Sequence, residues 1–356
     1  MAGPRPSAQA PTIRDVAERA RVAPATVSNV LTGRRQVAEN RRRRVLEAVE
    51  ALGYEPNHLA ASLRRRQTHT IGIVVPDLTN PFFAALVHRI EELAAERGYQ
   101  ILLVDSDETE AQQASRIRAL LARRIDGLIV IPTRDDVSAF AAKSHFTTPT
   151  VLVDRGFGLA GFDTVAADNI EACRRGTQHL LELGHRDIAL LVSARELGNI
   201  RDRIEGYRQA LVEADCGERQ RIIVGGLSME SCRAAIEQEL RRADRPTAVF
   251  AVTYPATLGA IKAIRALELG FPEDVSLLGF DDFDWMTVLR PYVSTVAQPI
   301  EEMASEAWRL LNARFAGSEA GPARLHLPCR LQVRESTRPP AGTGRDNNKP
   351  SRGGSR

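Results

Sequence analysis

From Ile71 onward the chain alternates apolar runs of strand length with amphipathic helical stretches. The runs are IGIVVP, QILLVDSD, DGLIVIPT, TVLVDRG, DIALLVS, RIIVGG, AVFAVT and SLLGFDD, and helices of about four turns separate most of them. Strands that are apolar at almost every position must be covered on both faces, which requires parallel sheets sandwiched between helices. About ten strands over roughly 260 residues exceed what one open sheet carries comfortably. The pattern therefore predicts two doubly wound α/β subdomains with a cleft between them, and ligands gather at strand C-termini in such sheets.

The first part of the chain has a different texture. Thr12 precedes an apolar series at Ile13, Val16, Ala17 and Ala20, followed by Val27, Val30 and Leu31, then Val45, Leu46, Val49 and Leu52. These spacings of three and four predict short helices over 12–54. VAPATVSNVLTG reads as a turn and a second helix, with Pro24 suited to its first turn. So small a module buries little core, and its role is to present side chains rather than to enclose a ligand. Charge separates the two parts: residues 1–66 carry a net +7 and the remaining 290 a net −4. A basic head on a mildly acidic body points to a polyanionic partner for the head alone. The run Arg41–Arg44 reads either as a solvated helix face or as a source of phosphate contacts.

Residues 1–10 and 339–356 lack an apolar pattern and are expected to be disordered. In the linker PNHLAASLRRRQTH, Pro56 stops a helix, Asn57 can cap another, and His58–Leu63 has room for about two turns, too few to be stable alone. No apolar run reaches the roughly 18 residues of a membrane span, and the N-terminus has no signal-like stretch, so a cytoplasmic location is expected. Four widely spaced cysteines agree with a reducing compartment. GFGLAG at 156–161 matches a dinucleotide fingerprint, but an extended stretch follows it where a helix is needed. His179 and His185 lie six apart, which fits no common metal spacing. No nucleophile elbow or Walker loop is present, so neither enzymatic activity nor a cofactor is expected.

TIRDVAERARVAPATVSNVLTG, the following RRQVAENRRRRVLEAVEALGYEPN and the hinge AASLR resemble the headpiece of the lactose/galactose-repressor family of bacterial transcription regulators. The likeness runs in order from Thr12 to about Arg338. It implies a helix-turn-helix DNA-binding domain at 11–56, a hinge helix and linker at 57–70, and a periplasmic-binding-protein-like core at 71–338. Within that core the implied N-subdomain spans about 71–165 and 298–322, and the C-subdomain about 166–297 and 323–338. By the same resemblance Pro24, Ala25 and Asn29 face base edges, while Thr26 and Ser28 touch phosphates. Thr12, Asn57, Ala60 and Arg64 complete the DNA-binding set. Leu63 corresponds to the apolar lever that kinks the operator through its minor groove. Ala61 stands where the family usually has Arg.

In the body, Asp77, Asp154 and Asp281 lie at strand ends. A single Asp there is more often a cap or turn former, but several converging carboxylates suit a polyhydroxylated ligand. The resemblance assigns Asp281 to the effector-binding Asp of the family's G(F/Y)D motif and Arg203 to the effector clamp. It places Phe82 and Phe83 at the cleft mouth and makes Asp154 a polar cleft residue. Thr253 and Tyr254 replace an Asn-Asp pair common in the family, so the contact at Thr253 differs. Trp285 is suited either to stacking on a sugar or to a core or interface. The implied function is a homodimeric repressor of a carbohydrate-utilisation operon, binding a palindromic operator under control of a sugar-like effector. A nucleoside-responsive regulator of the same family is the alternative; a sugar-transport receptor or an NAD-dependent enzyme is disfavoured.

Overall fold

The computed structural model describes residues 11–32, 36–54, 67–134, 147–156, 159–288 and 290–341. Expectations for residues 1–10 and 342–356, and for Asn57, Ala60, Leu63 and Arg64, lie outside these. The chain divides into two compact units at Thr68/His69.

The first unit contains helices α1 (Ile13–Ala20), α2 (Pro24–Thr32) and α3 (Glu39–Leu52). Thr12 and Asp15 form a capping box at the start of α1, so donors that the helix leaves orphaned find acceptors. Arg21 adopts a left-handed conformation, φ 52°, and closes the helix. Val16, Ala17, Ala20, Val27 and Val45 of the predicted series form the small core with Ala48 and Tyr54, whereas the predicted Leu46 is exposed because it lies on the outer face of α3.

The second unit holds two six-stranded sheets. The first has the order β11-β5-β4-β3-β1-β2, with every pairing parallel. Its strands are β1 (Thr70–Val75), β2 (Gln100–Asp105), β3 (Gly127–Val130), β4 (Thr150–Val153), β5 (Asp163–Ala167) and β11 (Arg324–Leu327). Helices α4 (Pro81–Ala95), α5 (Glu110–Ala122) and α10 (Ile300–Phe315) accompany it. The second sheet has the order β12-β10-β9-β8-β6-β7, with β10 and β12 alone antiparallel. Its strands are β6 (Ile188–Val192), β7 (Arg221–Val224), β8 (Ala248–Ala251), β9 (Ser276–Phe280), β10 (Ser294–Ala297) and β12 (Arg330–Gln332). Helices α6 (Asn169–Glu182), α7 (Gly198–Glu213), α8 (Met229–Leu240) and α9 (Tyr254–Ala266) cover it. Each sheet has an apolar cluster on both faces, as the uninterrupted apolar strands require. Helices α6 and α7 pack very closely: a Cβ on Gly206 would lie 2.0 Å from the Ile170 carbonyl oxygen.

The chain passes between the sheets after β5, after β10 and after β11. The subdomain boundary expected near 323 therefore moves to the stretch between Leu327 and Arg330, because β11 pairs in parallel with β5 as an edge strand of the first sheet. Its half-buried, alternating RLHL has none of the apolar density that marks the central strands. Among the described residues of GFGLAG, Ala160 and Gly161 lie in a turn that leads into β5 rather than into a helix, so no helix N-terminus follows them for a pyrophosphate. Among the described residues no helix is long and apolar enough to cross a membrane.

Candidate functional site

Asp154 follows β4 and Asp281 follows β9, each at the C-terminal end of a central strand in its own sheet. Both are left-handed, with φ 65° and 66°, a conformation that Asp tolerates. Their amides donate to Val165 and Val296 of the neighbouring strands, 2.9 Å in each case. The two sheets thus present equivalent carboxylates, and both are buried.

The surrounding groups come from helices and crossing segments. On the first turn of α7, Asn199 donates through Nδ2 to Asp154 Oδ2 at 3.2 Å and so bridges the subdomains. One turn later Arg203 donates to Asn169 Oδ1 at 2.7 Å and to the Val252 carbonyl at 2.6 Å, with its guanidinium 3.8 Å from the Phe280 ring centroid. Gln298, in the crossing after β10, donates through Nε2 to Asp281 Oδ1 at 2.7 Å. Arg155 makes two hydrogen bonds of 2.9 Å to Glu108 and approaches Asp154 at 3.6 Å. Burial pushes the Asp281 carboxyl up to about 6, against the opposing effects of Arg203 and Gln298; Asp154 adds to the rise. Burial raises Asp154 as well, opposed by Arg155, Arg203 and Asn199. Buried carboxyl groups shifted in this way by their surroundings are what a site for polar ligands provides.

Two cavities meet at Arg155. The larger, about 650 Å³, lies between Asp77, Asp105, Asp107, Glu108 and Arg116 of the first subdomain and Ser193, Ser228 and Thr253 of the second. The smaller, about 290 Å³, is lined by Asp154, Asn169, Asn199, Asp202 and His326 among others.

The predicted residues fare differently. Asp154, Arg203 and Asp281 come together. Asp77 and Thr253 line the larger cavity, and each also serves its own loop: Asp77 accepts from the Thr79 amide and hydroxyl, and Thr253 caps α9. Phe82 and Phe83 do not form a cleft mouth. Both point into the core of the first subdomain, because α4 turns its apolar face to the sheet, and Phe83 reaches the site only through Arg155, 5.8 Å above its ring. Trp285 lies on a short 3-10 helix (Asp284–Thr287) against the core of the second subdomain and lines neither cavity. Phe283, two residues earlier, packs against the cores of both subdomains and meets Tyr254 edge-on. Sequence reasoning missed Asn199, Gln298, Asn169, Arg155 and Glu108. Only Asn199 carried a signal, because it lies one helical turn before Arg203 on the same face.

In the head, Pro24 and Ala25 are exposed at the start of α2, and Thr26, Ser28 and Asn29 are partly exposed along it. The side chain of Thr12 is occupied by its capping box. Arg41–Arg44 are all exposed, and the pairs Arg42–Glu39 and Arg43–Glu47 are long, at 3.8 Å, so they bind these arginines weakly. Among the described residues no group of His, Cys, Asp and Glu is placed to hold a metal ion.

Comparison with known proteins matches residues 12–57 to the family described as "Bacterial regulatory proteins, lacI family" and residues 177–337 to "Periplasmic binding protein-like domain". Catabolite control protein A of Priestia megaterium is 32% identical over 329 residues, covering 92% of this chain and 99% of the relative. Among solved structures, the transcriptional regulator CelR–cellobiose complex shares 32% identity with a TM-score of 0.69, covering 92% of this chain and 100% of the other. The lac repressor dimer bound to operator and the anti-inducer ONPF shares 26% identity with a TM-score of 0.84, covering 93% and 100%.

Proposed function

The chain belongs to the lacI family of bacterial regulatory proteins and is a DNA-binding, effector-responsive transcriptional repressor; on that premise we propose that its effector is a sugar, bound in the cleft of the second unit, and that it controls a carbohydrate-utilisation operon from the cytoplasm. Two copies bind a palindromic operator, with Pro24, Ala25 and Asn29 of each toward base edges, Thr26 and Ser28 toward phosphates, and Thr12 at the start of α1 beside them in the DNA-binding set. In the hinge, Asn57, Ala60 and Arg64 add DNA contacts and Leu63 wedges the minor groove.

The observation that carries the effector reading is the buried cluster in which Asn199 bonds Asp154, Gln298 bonds Asp281, and the charge of Arg203 acts on both carboxyl groups. It joins both sheets, and two of its contacts go to crossing segments: Arg203 to Asn169 and Asp281 to Gln298. A ligand exchanging hydrogen bonds with these groups changes how the subdomains close at the segments on which they pivot, which is how a local contact biases a two-state element. Asp77 and Thr253 contribute from the cleft wall. The CelR structure holds cellobiose, which supports a sugar here.

The test is fluorescence anisotropy with an operator selected from random duplexes. We expect one sugar of a panel to change operator affinity about 5- to 150-fold. A response confined to nucleosides would overturn the sugar assignment. An isolated half-site bound as tightly as the palindrome, across a salt titration, would overturn dimeric binding.

A further inference from the structure

The larger cavity is acidic. Asp77, Asp105, Asp107 and Glu108 face it against Arg116 and Arg155; of the buried groups Asp154, Asp281 and Arg203, Asp154 alone lines a cavity, the smaller one, beside Asp202 and Arg201. The guanidinium groups around the cavities have partners: Arg116 donates to the Asp105 carbonyl at 3.3 Å and Arg201 to the Glu196 carbonyl at 2.7 Å. Arg155 is gripped by both oxygens of Glu108, and Arg203 is spent on Asn169 and the Val252 carbonyl. A phosphate entering here would meet an excess of negative charge and cations committed elsewhere.

The unsatisfied groups point the same way. Gln298 faces the Asp281 carboxylate and Asn199 faces that of Asp154, so each amide must present its nitrogen there. That fixes the remaining oxygens as acceptors, and Asn199 Oδ1, Gln298 Oε1 and Asp154 Oδ1 are all buried without a hydrogen-bond partner. Asp154 and Asn199, both more than nine-tenths buried, line the smaller cavity. Buried orphan acceptors require donors. Hydroxyl groups supply them, whereas a phosphate near neutral pH offers only acceptors.

We infer that the effector is a neutral, hydroxyl-rich molecule without phosphate or carboxylate, an unmodified sugar rather than its phosphate ester. This rests on the cleft being the effector site, and it goes further by naming the ligand's charge and its hydrogen-bonding character.

The test is calorimetric titration of the full chain with matched pairs: glucose and glucose 6-phosphate, ribose and ribose 5-phosphate, cellobiose and cellobiose phosphate, and cytidine with cytidine monophosphate. The expected result is that a neutral sugar binds and its ester binds at least about 100-fold more weakly, equivalent to about 2.8 kcal/mol. A sugar phosphate binding as tightly as its parent overturns the inference and leaves the sugar assignment standing. Cytidine binding without any sugar overturns the sugar assignment, and the comparison with its monophosphate then decides whether the charge argument holds. Silence across every pair overturns the inference.

Discussion

Replacing Asp281 by Asn should raise the stability of the second unit while weakening effector binding, two effects of opposite sign from one nearly isosteric change. Asn tolerates the left-handed backbone at this position, φ 66°, and its Oδ1 can still accept from Gln298. The stability term follows from burial. The Asp281 carboxyl lies at about 6 in the folded chain against an ordinary 3.8, so between those values the folded chain holds a proton that the unfolded chain has lost. Stability therefore falls as pH rises from about 4 to about 6, and the loss persists above that range. The gap converts to about 3 kcal/mol at pH 7.5, a figure that already includes the attraction of Arg203. An amide carries no such penalty, and the variant should melt several degrees higher at pH 7.5 with a shallower decline between pH 4 and 7. Binding moves the other way: one charge-assisted hydrogen bond lost to a ligand hydroxyl costs about 1.5–3 kcal/mol, or roughly 10- to 150-fold in affinity. Differential scanning calorimetry over pH and effector titration by calorimetry measure the two effects. A variant that melts lower than the parent at pH 7.5, or that binds the effector equally well, would refute the reasoning.

Arg203→Ala should be the harsher change. It strands Asn169 Oδ1 and the Val252 carbonyl and removes the charge that opposes the burial of Asp154 and Asp281, at a cost of about 3–5 kcal/mol, visible as a lower urea midpoint; an unchanged midpoint would mean that the guanidinium is not structurally required. Gly206→Ala places a Cβ 2.0 Å from the Ile170 carbonyl oxygen and should destabilise the second unit by about 1–3 kcal/mol; a stability equal to that of the parent would show that α6 and α7 separate freely. Leu63→Ala should weaken operator binding much more than binding to random DNA, because a wedge contributes only where the duplex can kink. Equal losses in gel-shift titrations would reduce Leu63 to a general contact.

Much of this molecule is local in origin and therefore legible along the chain. Whether a strand is apolar on both faces or a helix on one depends on nearest neighbours in sequence, so the parallel sheets and the three head helices could be read directly. Strand-end carboxylates were equally visible, because topology sends ligands to the C-terminal ends of parallel strands. What sequence spacing could not convey is which polar groups converge. Asn199 reaches Asp154 across 45 residues and Gln298 reaches Asp281 across 17, and both approaches depend on where the chain crosses between sheets. The same limit explains Phe82, Phe83 and Trp285. An aromatic residue beside a cleft motif has the same local signature whether it faces ligand or core, and only the packing of α4 and of the Asp284–Thr287 turn against their sheets decided for the core. The edge strand β11, short and half-buried, owes its place to pairing with β5 rather than to its own composition, because an edge position demands burial on neither face.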